Sequence, residues 1–140
     1  MYKTKHFSLC EFLQSDTANR LHIDNTPTFD VVYNLLRLTQ LVLDGTRDKI
    51  GMPIQVTSGY RSVALNRAVG GVHNSQHITG CAADLKCNNM QLLFETLALN
   101  PNVDQLLYEH NGKGGAWVHV SVAPVDKRPR HYINDLFYAK

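Results

Sequence analysis

Apolar residues between Phe29 and Lys49 recur at helical intervals. Val31, Leu35, Leu38 and Val42 form one stripe, and Val32, Leu36 and Leu43 form a second beside it. Residues three and four apart share a helix face, so this spacing predicts one long helix with a wide buried side. Gly51 suits a C-terminal cap and Pro53 cannot continue a helix, which ends the element at "GMP". Upstream, "FSLCEFLQSDTANRL" predicts a shorter amphipathic helix, with Ser8 as N-cap and Glu11 at the capping-box spacing, and "HIDNTPT" reads as a loop.

Beyond Pro53 the period shortens to two. Ile54 to Thr57 predicts a strand running into the turn "SGYRS", and "SVALNRAV" a short helix before Gly70 and Gly71. "CAADLKC" is a second strand, "MQLLFETLAL" a helix and "VDQLLYE" a third strand; the turn "NGKGG" then leads to a fourth strand, "AWVHVSV". Nothing is assigned after Pro124. Helices come mainly first and strands mainly later, with no βαβ alternation. The predicted class is therefore α+β, with N-terminal helices packed on a small, mostly antiparallel sheet. The 140 residues, 1–140, contain no repeat or low-complexity stretch and are expected to form a single domain able to bury a core without staples.

Side chains alternate faces along a strand. In the second strand Cys81, Ala83, Leu85 and Cys87 share an apolar face, and Ala82, Asp84 and Lys86 the other. In the fourth, Val118, Val120 and Val122 oppose Trp117, His119 and Ser121. If the two strands share a sheet, Asp84 and His119 converge on its open face. His77, on a loop that Gly80 turns back toward the sheet, completes the set. Two neutral imidazoles and a carboxylate suit one catalytic Zn2+ per chain, with the fourth position left for water. Either histidine alone reads more readily as a satisfied polar group; the three on matching faces favour the metal.

Composition narrows the alternatives. A net charge of +2 is too small to argue for nucleic acid, and "KRPR" at 127–130 reads as a solvated loop. No run approaches the ~18 apolar residues of a membrane span. No apolar stretch follows Lys3, Lys5 and His6, so no signal peptide is expected and synthesis is assigned to the cytoplasm. Cys10, Cys81 and Cys87 make an odd count without a disulfide framework; Cys81 and Cys87 are expected to be core hydrophobes. "NGKGG" lacks the phosphate-loop pattern and is a turn.

"SGYRS", "VGG…SQHITGCAADL", "DQLLYE" and "WVHVS", with "FSLCEF…TANRLHIDNTP" before them, resemble the zinc D-alanyl-D-alanine carboxypeptidase family over nearly the whole chain. The resemblance is to its small cell-wall peptidase branch of bacteria and their phages. It implies metal ligation by His77, Asp84 and His119, and a fold shared with lysostaphin-type enzymes and the hedgehog signalling domain. It also implies hydrolysis of a peptide bond in peptidoglycan stems, of the D-Ala-D-Ala carboxypeptidase or L-Ala-D-Glu endopeptidase type. Arg61 would then lie near the substrate, where its guanidinium can fork onto a carboxylate or stabilise an oxyanion; the alternative is an ion pair that fixes the turn. Ser75 either bonds substrate, supports the metal ligands or serves the backbone alone.

One position departs from the family pattern. Relatives commonly carry an acidic general base three residues before the second histidine, where this chain has Ala116. Glu109, across the "NGKGG" turn, is the nearest candidate base, against an equal reading as a strand-end glutamate; His110 is a weaker candidate. Ala116 also keeps a second expectation open, a non-catalytic zinc-stabilised module that binds cell wall or peptide. The expected partner is a peptidoglycan peptide, with no nucleic acid or membrane, and a monomer is the simplest state. Such an enzyme would meet the wall after lysis, through a pore or from a virion.

Overall fold

Gln14 takes an extended conformation, and Ser15 accepts a hydrogen bond from the Ala18 N–H that opens a new helix. The N-terminal segment is therefore two helices, α1 (Leu9–Leu13) and α2 (Asp16–Leu21), where the apolar pattern predicted one. Glu11 does reach back as the capping-box spacing predicts, accepting from the Ser8 N–H at 2.7 Å. These are features of a computed structural model that describes residues 4–135. The start of the segment read as lacking an export signal, residues 1–3, lies outside that range, as does the end of the tail, 136–140.

The predicted long helix is continuous. α3 (Phe29–Leu38) passes through a π turn (Thr39–Leu43) into α4 (Asp44–Ile50), capped by Thr28 at the start and by Gly51 in the left-handed conformation at the end. Thr39 Oγ1 donates to the Leu35 carbonyl at 2.8 Å where the π turn begins, and such back-bonding loosens the regular ladder. Both apolar stripes contribute: Val31, Leu35, Leu38, Val42 and Leu43 are buried, whereas Val32 and Leu36 are only half-buried.

The remaining elements are β1 (Gln55–Ser58), α5 (Val63–Ala68), a short 3-10 helix (Gln76–Thr79), β2 (Ala82–Lys86), α6 (Met90–Ala98), β3 (Val103–His110), β4 (Ala116–Val122) and β5 (Tyr132–Asn134). Among the described residues, five strands form one sheet in the order β1-β2-β4-β3-β5. All neighbours are antiparallel except β3 and β5, which run parallel. The fold is α+β, as the pattern predicts. The segment after Pro124, unassigned from the sequence, supplies the edge strand β5.

One face of the sheet meets the helices. Ala83, Leu85, Leu106, Tyr108, Val118, Val120 and Val122 join Leu35, Leu38, Val42, Leu93 and Leu97 in the core. Cys81 is buried there and Cys87 is half-buried at its edge; all three cysteines are free. No helix among the described residues is long and apolar enough to cross a membrane.

Helix α1 sits directly on the turn after β1. The Tyr60 N–H donates to the Phe12 carbonyl at 2.7 Å. A Cβ on Gly59 would stand 2.5 Å from that oxygen and 2.6 Å from the Phe12 Cα. Backbone cannot yield as a flexible side chain can, so Gly59→Ala is expected to lower unfolding stability by about 1–3 kcal/mol, read as a reduced denaturant midpoint at unchanged slope.

Candidate metal centre

Strand pairing delivers two of the three candidate ligands. Asp84 on β2 is the direct cross-strand partner of His119 on β4, in a row that continues to Ser58 on β1 and Leu107 on β3. Both side chains rise from the face opposite the core, yet each is only 8% exposed. His77, at 3% exposed, comes from the 3-10 helix rather than from an open loop. Ser75 starts that helix, its hydroxyl accepting from the His77 N–H at 3.2 Å. Gly80 ends it at φ +80°, and a Cβ there would meet the Val31 carbonyl at 2.7 Å, so glycine is required on both counts.

Each ring has an acceptor on its far side as well as the shared Asp84. His77 Nδ1–H donates to the Gly59 carbonyl at 2.7 Å, which leaves the Nε2 lone pair 3.2 Å from Asp84 Oδ1. His119 Nε2 lies 3.4 Å from the Gln76 side-chain oxygen Oε1, and a proton held there leaves the Nδ1 lone pair 3.1 Å from the same Asp84 oxygen. The rings stand edge to face with centroids 5.2 Å apart. Three acceptors thus converge, their ligand atoms all within 4.8 Å of one another.

Burial penalises charge on Asp84, yet its carboxyl is held well below the ordinary carboxylate range because His119 and His77 stabilise the anion. Ligands on tetrahedral zinc with bonds of about 2.0–2.1 Å stand about 3.3 Å apart. The two short contacts of Asp84, 3.2 and 3.1 Å, match that spacing, and the donor set is one zinc favours. The residues present fit the ion.

Arg61 closes the far side of the carboxylate. Its Nη2 lies 3.5 Å from Asp84 Oδ2, its Nε donates to Ser58 Oγ at 3.1 Å and its Nη1 to Asn66 Oδ1 at 3.1 Å. The ion pair considered from the sequence is thus present, and the same guanidinium borders the cleft above the three ligands. That cleft, of about 580 Å³, is also lined by Gly71, Ser75, Glu109, Trp117 and Arg130.

Glu109 and Trp117 are cross-strand partners in the β3–β4 hairpin, two residues from Leu107 and His119 and on the same face. The Glu109 carboxylate has no hydrogen-bond or ion-pair partner among the described residues. Ala116 falls on the opposite parity and packs against the core. In this regular hairpin an acidic side chain at 116 would point away from His119. His110, its partner, shares the parity of Tyr108 rather than of Glu109.

Sequence reading missed Gln76, Asn66 and an ion pair between buried Asp104 and exposed Arg130. Asp104, 2% exposed, receives three hydrogen bonds from the Arg130 guanidinium and one from the Arg130 N–H, at 2.7–3.2 Å. Residues 127–130 form an exposed loop, as read from "KRPR", and within it the exposed Arg130 is also tied to Asp104. Burial disfavours the Asp104 anion, but the bonds from Arg130 and Gln76 outweigh it and hold the carboxyl below its ordinary range. A depressed folded value contributes stability in full above about pH 4, lost as the pH falls through that lower value. Arg130→Ala removes the main opposing partner, so its acid-unfolding midpoint, followed by circular dichroism, is expected at higher pH than the parent's.

Residues 5–121 match the family described as Peptidase M15, a span that holds His77, Asp84, His119, Arg61 and Glu109 but not Arg130. No curated protein matches the chain significantly.

Proposed function

The chain belongs to the Peptidase M15 family, and from that membership we propose a zinc metallopeptidase that hydrolyses a peptide bond in peptidoglycan stem peptides. The bond would be of the D-Ala-D-Ala or L-Ala-D-Glu kind. The observation that carries this reading is the convergence of two imidazole lone pairs and a carboxylate oxygen, all buried, at the floor of a cleft.

His77 through Nε2, Asp84 through its carboxylate and His119 through Nδ1 would hold the ion. Zinc bound there supplies a Lewis acid for the scissile carbonyl and lowers the pKa of a water toward ~7. The protein supplies the rest. Glu109, unpaired and on the cleft face, takes a proton from the attacking water and returns it to the amine as the C–N bond breaks. Arg61 offers its remaining N–H groups to a substrate carboxylate or to the developing oxyanion, with its orientation set by Ser58, Asn66 and Asp84. Ser75 acts through the backbone, by holding the turn that presents His77. The chain is proposed to work as one domain and as a monomer, reaching the wall after lysis, through a pore or from a virion.

Mass spectrometry of purified peptidoglycan incubated with the zinc-loaded protein tests this reading. Fragments with new termini at one class of bond are expected. Ala116 favours one competing reading, a zinc-stabilised binding module. Zinc-loaded protein that binds stem peptide and releases no fragment would establish that instead.

A further inference from the structure

The two candidate histidine ligands are held differently. His77 is fixed by a backbone carbonyl, which has no alternative orientation. His119 is fixed by a side-chain amide, which has two. If the Gln76 amide flips, its NH2 faces His119 Nε2, that nitrogen becomes the acceptor, and the proton moves to Nδ1, the atom that faces Asp84. Something must set the amide.

That constraint is Asp104. Gln76 Nε2 donates to Asp104 Oδ2 at 3.0 Å, and an ionised carboxylate only accepts. The NH2 must therefore face Asp104 and the carbonyl oxygen must face His119. Arg130 grips the same carboxylate through Nε and Nη2 and through its backbone N–H, so the carboxylate cannot swing away. Asp104 itself is buried, at 2% exposed.

A backbone irregularity makes the relay possible. Val103 pairs with Val122 and Leu106 with Val120, so β3 spends three steps where β4 spends two. Without that bulge, Asp104 would share the core-facing parity of Leu106 and Tyr108. With it, Val103 and Leu106 both reach the core and Asp104 turns to Gln76 and Arg130.

We propose that Gln76, oriented by the Asp104–Arg130 pair, is a positioning residue that holds His119 in the tautomer whose Nδ1 lone pair faces the metal position. The segment carrying Arg130 thereby acts on the centre from outside it. This inference rests on the zinc reading for its effect on affinity, but its effect on the tautomer does not.

The test uses the full chain labelled with 15N at histidine. In the zinc-free parent, ring 15N shifts of His119 should report a larger share of the Nε2-protonated tautomer than in either single variant, against the pull of Asp84 on a proton at Nδ1. Gln76→Met, similar in length but without an acceptor, should mix the tautomers and weaken zinc binding roughly 10–100-fold by chelator competition. Asp104→Asn, which frees the amide to flip, should move the His119 signature the same way while the chain stays folded. Gln76→Glu combined with Asp104→Asn again directs an acceptor at His119 and a donor at residue 76, and should restore the parent tautomer and most of the affinity. An unchanged His119 tautomer in both single variants overturns the relay, as does parent zinc affinity in Gln76→Met. A parent that binds no zinc yet shows the tautomer switch keeps the relay and refutes only the metal reading.

Discussion

In His119→Ala, bound zinc and peptide hydrolysis are expected to disappear together. The substitution removes one of three converging donors and leaves His77 and Asp84, too few to close a tetrahedral site around one open position. Lewis-acid stabilisation of the scissile carbonyl is worth several kcal/mol; a loss of about 4 kcal/mol is roughly a thousandfold in kcat/KM. The fold is expected to survive. His119 belongs to the polar face of β4, while Val118, Val120 and Val122 carry the packing. The cost is that of stranding its partners on Asp84 and Gln76, about 1–3 kcal/mol. Metal analysis, turnover and a thermal melt on the same preparation separate these effects. His73→Ala, two residues before Ser75 and exposed, should change none of them. A His119→Ala protein that keeps stoichiometric zinc would remove this residue from the ligand set.

Glu109→Gln should divide the two observables that His119→Ala removes together. The amide keeps the size and polarity of the side chain but cannot take a proton. A general base contributes roughly 10²–10⁴ in rate, so kcat is expected to fall by that factor while zinc affinity stays at the parent value. KM should change little, because the lost interaction serves the transition state rather than substrate binding. The geometry behind this is the hairpin register. Glu109 pairs with Trp117, one step along the cleft face from His119, and Ala116 is turned into the core. Full turnover in Glu109→Gln would return the search for a base to other cleft residues without disturbing the metal reading.

Much of this centre was legible in strand parity. Alternation alone put Asp84 and His119 on the polar faces of their strands, because Ala83, Leu85, Val118, Val120 and Val122 so clearly claim the other side. Adjacent pairing of β2 and β4 then made them direct partners, which a period of two cannot specify. Position 116 was legible as a departure, but its consequence depended on the turn, since only a regular hairpin sends that side chain to the core. The helix break at Gln14 and Ser15 was hidden because the apolar spacing runs through it while the backbone does not. Asp104 was hidden for the opposite reason. A bulge shifts parity by one, and nothing in "VDQLLYE" announces the extra residue. Gln76 and Arg130 were read past because each matters only through Asp104. The edge strand β5 is three residues long and half polar, below what a periodic pattern can reveal.

Diffraction from zinc-loaded crystals, recorded on both sides of the zinc absorption edge, bears most directly on the central assignment. One anomalous peak is expected, bonded at about 2.0–2.2 Å to His77 Nε2, an Asp84 carboxylate oxygen and His119 Nδ1. Well-ordered crystals in which these three side chains keep their places with no such peak between them, or with His119 turned to present Nε2, would contradict it.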